Sequence, residues 1–461
     1  MIDPVLALMT CAASAPAKLT PAQAALEARR DTQRADARAA WDAGRQEEAV
    51  VLLRQAQLAT WRLFGPWHHE MAGILHQERV TPQALAKALP EGTALADYLF
   101  HNRMLSAFVH RRGKEPARID LASAERVEEA VREWRPLLQR GRPDARFGEA
   151  LRKLVLDPLE KSLEGCKTLL VSPDGSLGTI PFAALPGKRE GTRLIEERAV
   201  VMVPVPQLLP EALAAKKPGG KASLLALGGL DFGEGKAPRG GMEGGALPGT
   251  SEEAAAVREL FRESIEGGAA SSLAKAEATK MAVLAALPKA RFAHLATHGF
   301  FAPETARSAL PENDRRRRGL EVGGWDPLLL SGLALSGANR KPRPGEEDGI
   351  LTALEVSEMD LPGLDLVTLS ACETGLGKVA GGEGLLGLQR AFAVAGARTV
   401  VASLWKVDDE ATKALMERFY SDLWKKRMGK LEALAEAQRW MLKEGRKPSE
   451  WAAFVLSGDW R

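Results

Sequence analysis

Cysteine is scarce, with Cys11, Cys166 and Cys372 the only three in 461 residues. Three thiols cannot staple a chain of this length or complete a four-ligand zinc site, and neither C-x-x-C nor H-E-x-x-H spacing occurs. A reducing compartment, the cytoplasm, is expected, with no metal and no cofactor. Long apolar runs are missing as well, since none approaches the roughly 18 residues that cross a bilayer. The opening MIDPVLALMTCAASAPA has a short apolar stretch, but no basic residue precedes it and its one early charge is Asp3, so it does not read as an export signal. Net charge is nearly absent: 63 basic residues face 60 acidic ones, a formal balance of +3. Bulk electrostatics therefore gives no reason to expect nucleic acid or a membrane surface as partner, and the local basic run Arg315 to Arg318 reads as a solvated loop.

What is present falls into two regions, expected at residues 1–90 and 91–461. From Thr20 to Leu75 the chain is rich in Ala, Arg, Glu and Gln. Ala49, Leu52, Leu53 and Ala56 follow the i, i+3, i+4 spacing of an amphipathic helix. The stretch Ala39 to Leu75 reads as two helices broken at Gly44-Arg45 and Gly65-Pro66. After Pro90 the pattern changes. Asp97 to Leu121 alternates like paired strands around Gly113, and a helical stretch runs from Ser123 to Leu163 with a break near Gly141 to Pro143. Thr168 to Val171 is a short apolar strand ending in a Pro-Asp-Gly turn. Residues 91–215 form a first half and 216–461 a second.

In the second half apolar strands alternate with helices. The strands begin at Ser223 and cover Arg291–Thr297, Asp365–Ser370 and Arg398–Leu404. The helices cover Ser251–Arg262, Lys275–Leu287, Gly384–Ala395 and Asp409–Lys426. Continuous apolar strands separated by helices specify an α/β fold, a mainly parallel sheet with helices on both faces. Phe301 to Gly349 reads as an extended loop with one strand near Leu328 to Leu335. The Gly-rich run that begins at Gly228 does not hold a Walker A motif. Leu230 and Ala237 stand where that motif needs Gly and Ser or Thr, which argues against a nucleotide.

Two of these strands run into reactive side chains, RFAHLAT into His298-Gly299 and DLVTLS into Ala371-Cys372. If the strands are parallel neighbours, both residues emerge at the carboxyl edge of the sheet, where α/β sheets bind ligands. A cysteine beside a histidine is what a thiol hydrolase needs, because the imidazole favours the attacking thiolate and later protonates the leaving amine. Gly299 and the glycine that closes C-E-T-G let the backbone turn sharply, and the N–H groups of Gly299 and Cys372 are candidate oxyanion donors. A strand-end cysteine or a single histidine can equally be inert packing. His294 shares a face with His298 by period two but lies inside the strand, so it reads as a hydrogen-bonded core histidine.

H-L-A-T-H-G at 294–299, followed by L-S-A-C-E-T-G at 369–375, resembles the CHAT family of caspase- and separase-related proteases. Gly381 to Thr412, 172–185, 247–254 and 348–356 continue the likeness, which covers Leu95 to Arg461. The resemblance implies a caspase-like fold with His298 as base and Cys372 as nucleophile, working as a dyad. It further implies a bacterial signalling or defence protease that acts on one specific protein. The caspase signature Q-A-C-x-G is absent, so cleavage after aspartate is not implied. In separase-like relatives an acid in the W-x-V-x-D stretch faces a basic P1 side chain. Here Trp405 opens that stretch and Asp409 holds the matching position, so Asp409, Asp408, Glu383 and Trp405 are expected beside the substrate. Asp408 and Asp409 are also placed to cap the helix that follows, and Glu373 and Glu383 flank the same rim. Gly44 to Ala49 and the residues after it resemble one tetratricopeptide repeat, a module that recruits or senses a protein partner or else docks on the next domain. Two other functions fit the same residues: a catalytically silent scaffold that binds a protein, and transpeptidation on the same dyad.

Overall fold

The computed structural model describes residues 80–142, 144–215, 219–234, 247–301, 331–340, 347–373 and 383–461, with Thr32 and Asp36 as two helical positions apart from these. The chain divides into one unit of Met1–Thr81 with Leu310–Asp326 and another of Pro82–Ala309 with Pro327–Arg461. The tetratricopeptide-like stretch, Cys11, Arg315 to Arg318, Thr374 and Gly375 lie outside the described residues, as does most of the Gly-rich run.

The second unit is built on one 13-stranded sheet. Its first strands, β1 (Thr93–His101), β2 (Met104–Arg111) and β3 (Ala117–Ser123), form an antiparallel meander. Gly113 turns between β2 and β3 as expected, at φ 70°. A second turn was not expected from the sequence: Asn102 and Arg103 take φ 48° and 62° and close a two-residue hairpin between β1 and β2. Helices α1 (Ala124–Gln139) and α2 (Ala145–Val155) follow, separated at Gly141 (φ 65°), where the sequence places its break. β4 (Thr168–Ser172) and β5 (Ala199–Met202) add parallel strands beside β1.

The second half begins at β6 (Ser223–Leu230) and continues through α3 (Pro248–Ser264) to β7 (Ala269–Lys275) and α4 (Lys280–Ala286). The helix expected from Lys275 starts later. Thr279 accepts from Ala282 N–H as its N-cap, and β7 occupies the residues before it as a parallel edge strand on β6. β8 (Phe292–Phe301), β9 (Ser331–Ala334), β10 (Ile350–Thr352) and β11 (Leu366–Glu373) come next, then α5 (Glu383–Val394) and β12 (Thr399–Ser403). α6 (Asp409–Tyr420), α7 (Lys430–Lys443) and β13 (Phe454–Gly458) complete the chain.

Strands β6, β8, β11 and β12 run parallel, as do β1, β4 and β5. β13 joins the two sets, antiparallel to β12 and parallel to β5 through Ser457 and Met202. Phe292–Thr297 of β8, Leu366–Ser370 of β11 and all of β12 are buried, so both faces of the sheet are covered at its centre. This is the mainly parallel α/β sheet the sequence specifies, with antiparallel pairings at its edges and between β12 and β13.

Candidate active site at the carboxyl ends of β8 and β11

β8 and β11 are parallel neighbours over eight register pairs, from Leu366 against Phe292 to Glu373 against Gly299. Cys372 pairs with His298. Adjacent strands lie about 4.8 Å apart, so the two residues the sequence singles out stand side by side in the ladder at the carboxyl end of the central strands. The expected sharp turn after His298 is absent. β8 runs on to Phe301 because β9 pairs with its last residues, Gly299 opposite Leu333. Gly299 thus sits between two strands, which narrows the directions in which its N–H can point.

His298 is buried, with the Phe232 ring 5.0 Å away, centroid to centroid. Phe232 follows β6, where its carbonyl accepts from Asn339 N–H (2.9 Å) and the Asp231 carbonyl accepts from Gly337 N–H (3.0 Å). Thr297, one residue before His298, donates its hydroxyl to the Ala334 carbonyl. The histidine is thereby held between the end of β6 and the segment after β9.

His294 is a fully buried core residue, as its position inside β8 predicts. Its Nδ1 lies 3.2 Å from the Tyr420 hydroxyl, which donates to Thr368 Oγ at 2.8 Å. Burial in this apolar setting pushes the Tyr420 phenol well above its ordinary range, with the Thr368 bond opposing. On its other side, His294 Nε2 lies 3.0 Å from Glu253 Oε1, off the hydrogen-bond direction, and neither atom has another partner among the described residues.

The acidic pair after β12 divides its work. Asp408 is the N-cap of α6 and accepts from the N–H groups of Glu410 and Ala411 (3.0 and 3.2 Å). Asp409 opens the helix and accepts from Gly249 N–H in the first turn of α3 (3.3 Å). Asp409 also lines a narrow recess between α3 and α6, together with Thr250, Glu253, Ser370, Ser403 and Thr412. Ser370 stands two residues before Cys372, so the recess adjoins the candidate site. Sequence reasoning missed Glu253, whose only signal was an acid in the L-P-G-T-S-E-E-A stretch.

Trp405, expected beside the substrate, is instead a core residue, 1% exposed, and donates its indole N–H to the Ser449 carbonyl at 2.9 Å. An indole of this size gains most by full burial once its N–H has an acceptor. Glu383 begins α5. Cys166, between Gly165 and β4, is buried. Among the described residues no group of His, Cys, Asp and Glu could hold a metal ion, and no helix is long and apolar enough to cross a membrane.

Two solved structures align with this chain at low identity. The Saccharomyces cerevisiae separase–securin complex aligns over 89% of this chain and 33% of that chain at 9% identity and TM-score 0.48. The Arg-specific cysteine proteinase gingipain R aligns over 73% of this chain and 74% of its own at 11% identity and TM-score 0.42. In sequence, human tetratricopeptide repeat protein 28 is 29% identical over 330 residues, and its mouse counterpart is 29% identical over 334. Each match covers 67% of this chain, which spans only 13% of the length of those relatives. The model of the CHAT domain matches residues 145–459, which takes in β4 to β13 and both residues of the Cys372–His298 pair. The mainly parallel α/β sheet therefore carries a CHAT domain, and the chain belongs to the CHAT-domain family.

Proposed function

We propose that the chain is a cysteine endopeptidase acting on a protein substrate, with Cys372 as nucleophile and His298 as base. The observation that carries the reading is the register of two parallel strands, which sets Cys372 opposite His298 at the carboxyl end of the sheet. The Cys372 thiolate attacks the scissile carbonyl carbon, and a C–S bond forms as the charge moves to oxygen. The N–H groups of Gly299 and Cys372 are the donors assigned to that oxyanion. Collapse breaks the C–N bond, and His298 delivers to the departing amine the proton it took from the thiol. A water molecule then gives its proton to His298 and attacks the thioester, releasing the acid and returning the proton to sulfur.

The recess beside Ser370, whose lining holds the carboxylates of Glu253 and Asp409, supports a preference for a basic residue at P1. Glu383 and Asp408 are assigned on the same reading to flanking residues of the substrate, with Asp408 also capping α6. Residues 1–90, which read from their sequence as helical and tetratricopeptide-like, would engage a regulatory protein. A bacterial signalling or defence role rests on family resemblance alone.

The test is cleavage of a peptide library carrying Arg, Lys, Asp or Met at P1 by the wild type, Cys372→Ala and His298→Ala. Loss of at least about a thousandfold in kcat/KM in each variant supports the dyad. Cleavage that survives Cys372→Ala refutes it. A second reading, a silent scaffold that binds a protein partner, draws on the repeat-protein name of the human and mouse relatives and on the burial of His298. A wild-type protein that cleaves nothing and whose Cys372 ignores an acyloxymethyl ketone probe would favour that reading.

A further inference from the structure

The recess between α3 and α6 contains two carboxylates, and their surroundings differ in a way that matters for what enters. Asp409 is occupied. Its Oδ2 accepts from Gly249 N–H in the first turn of α3, and it sits in the first turn of α6, so two helix N-termini already meet its charge. Asp408 is occupied as well, by the N–H groups it caps. Glu253 is not. It is 3% exposed and lines the recess, and its Oε1 receives no directed hydrogen bond, with only the oblique contact to His294 beside it. A buried carboxylate oxygen without a donor is the uncommon case in a folded protein and points to a partner that arrives from outside.

We propose that Glu253, rather than Asp409, is the specificity-determining residue of this recess, and that it takes a guanidinium side chain. Glu253 lies about one helical turn beyond Gly249 on α3, the residue that Asp409 contacts. Thr250 and Glu253, three residues apart, share the face of α3 that lines the recess, with Ser370 and Ser403 from the strand ends and Thr412 from α6. Leu247, Val407 and Phe454 complete the wall around the hydroxyls and the two acids, and the open space is only about 10 Å³, so an entering side chain has to widen the recess. A guanidinium presents a planar fork of N–H donors that fits one carboxylate edge-on and leaves further donors for hydroxyls, which an ammonium cannot match in the same plane. The identification of that side chain as the P1 residue of a substrate rests on the protease reading. The affinity of the recess for a guanidinium does not.

The experiment uses the full chain as wild type, Glu253→Gln, Glu253→Asp and Asp409→Asn, with two peptides identical except for Arg or its neutral isostere citrulline at P1. The expected result is a fall of about thirtyfold or more in the Arg-to-citrulline ratio of kcat/KM for Glu253→Gln, against less than about threefold for Asp409→Asn. An unchanged ratio in Glu253→Gln, or a wild type that cleaves both peptides equally, overturns the inference while leaving the protease reading intact. If the wild type cleaves neither peptide, calorimetric titration of Cys372→Ala with agmatine decides. Binding that is lost when Glu253→Gln is added sustains the inference without the protease, and absence of agmatine binding overturns it. Should Glu253→Gln fail to fold, Glu253→Asp keeps the charge and withdraws it by one methylene. It is then expected to shift preference from arginine toward homoarginine, and an unshifted ratio refutes the assignment.

Discussion

The Tyr420 hydroxyl ties α6 to both central strands, meeting His294 on β8 and donating to Thr368 on β11. These two residues are register partners in the ladder, two pairs below Ser370 and four below Cys372. Tyr420→Phe removes the oxygen and leaves two buried polar groups without it, which is expected to cost about 1–3 kcal/mol. Urea denaturation reads this as a lower midpoint at unchanged slope. A change in slope would mean that the native state itself had loosened. Asp408 gives a second case, because its two hydrogen bonds fall on the orphan N–H groups of α6. Asp408→Ala is expected to lose about 1 kcal/mol of stability and to leave the P1 preference where it was, measured on the same peptides. A changed preference would assign Asp408 to the recess instead. Of the site residues, His294 was legible as core from its place inside an apolar strand. The division of labour between Asp408 and Asp409 was not, since adjacent acids before a helix read alike until the partner N–H groups are known. Trp405 misled for a related reason: a motif position says where a side chain starts, not which way burial turns it.

At the scale of elements, the long apolar strands were the most readable part of the chain. β8 and β11 fall where continuous hydrophobic runs place them, and their pairing follows from the strand–helix alternation. The misses are short or exposed pieces. β7 is an edge strand whose residues are mostly exposed, so AASSLAK carries no apolar signal. The hairpin turn between β1 and β2 escaped notice because Asn102-Arg103 lacks the glycine that usually marks such turns. Arg103 holds φ 62°, in the left-handed region that L-residues avoid. Arg103→Gly removes that strain at the cost of extra freedom in the unfolded chain, for a net gain of about 0.5–1 kcal/mol. Chemical denaturation of the two proteins side by side tests it, and a loss of stability would show that the Arg103 side chain contributes more than its backbone costs.

Across the whole molecule, the two sets of parallel strands are joined by β13, which was not expected from the sequence. WAAFVLSG is too short and too evenly apolar to distinguish a strand from the end of a helix. Its end is fixed tightly. Gly458 adopts φ 94°, and a Cβ there would run into the Arg398 carbonyl, so only glycine fits. The next residue, Asp459, binds Arg398 (2.5 Å) and Arg461 (2.9 Å), while Lys430 of α7 bonds to Asp365 at the start of β11 (2.9 Å). This buried ionic cluster lies at the amino ends of β11 and β12, the opposite end of the sheet from Cys372 and His298. Stability against acid is therefore separable from the candidate active site. Burial alone would raise the Asp459 carboxyl, but hydrogen bonds from Arg461 and Arg398 outweigh it and bring the group down from 3.8 to about 2. A folded-state value below the unfolded one stabilises the protein once the group is ionised in both states, and that share is lost as pH falls through the folded value. Asp459→Asn should accordingly be less stable than the wild type by about 2 kcal/mol at neutral pH. The difference should hold down to about pH 5 and close between there and about pH 2. Urea melts of both proteins at pH 7, pH 4 and pH 2.5 would follow the gap. A gap that stays constant to the lowest pH would show that Asp459 acts through packing at the β12–β13 junction and not through its charge.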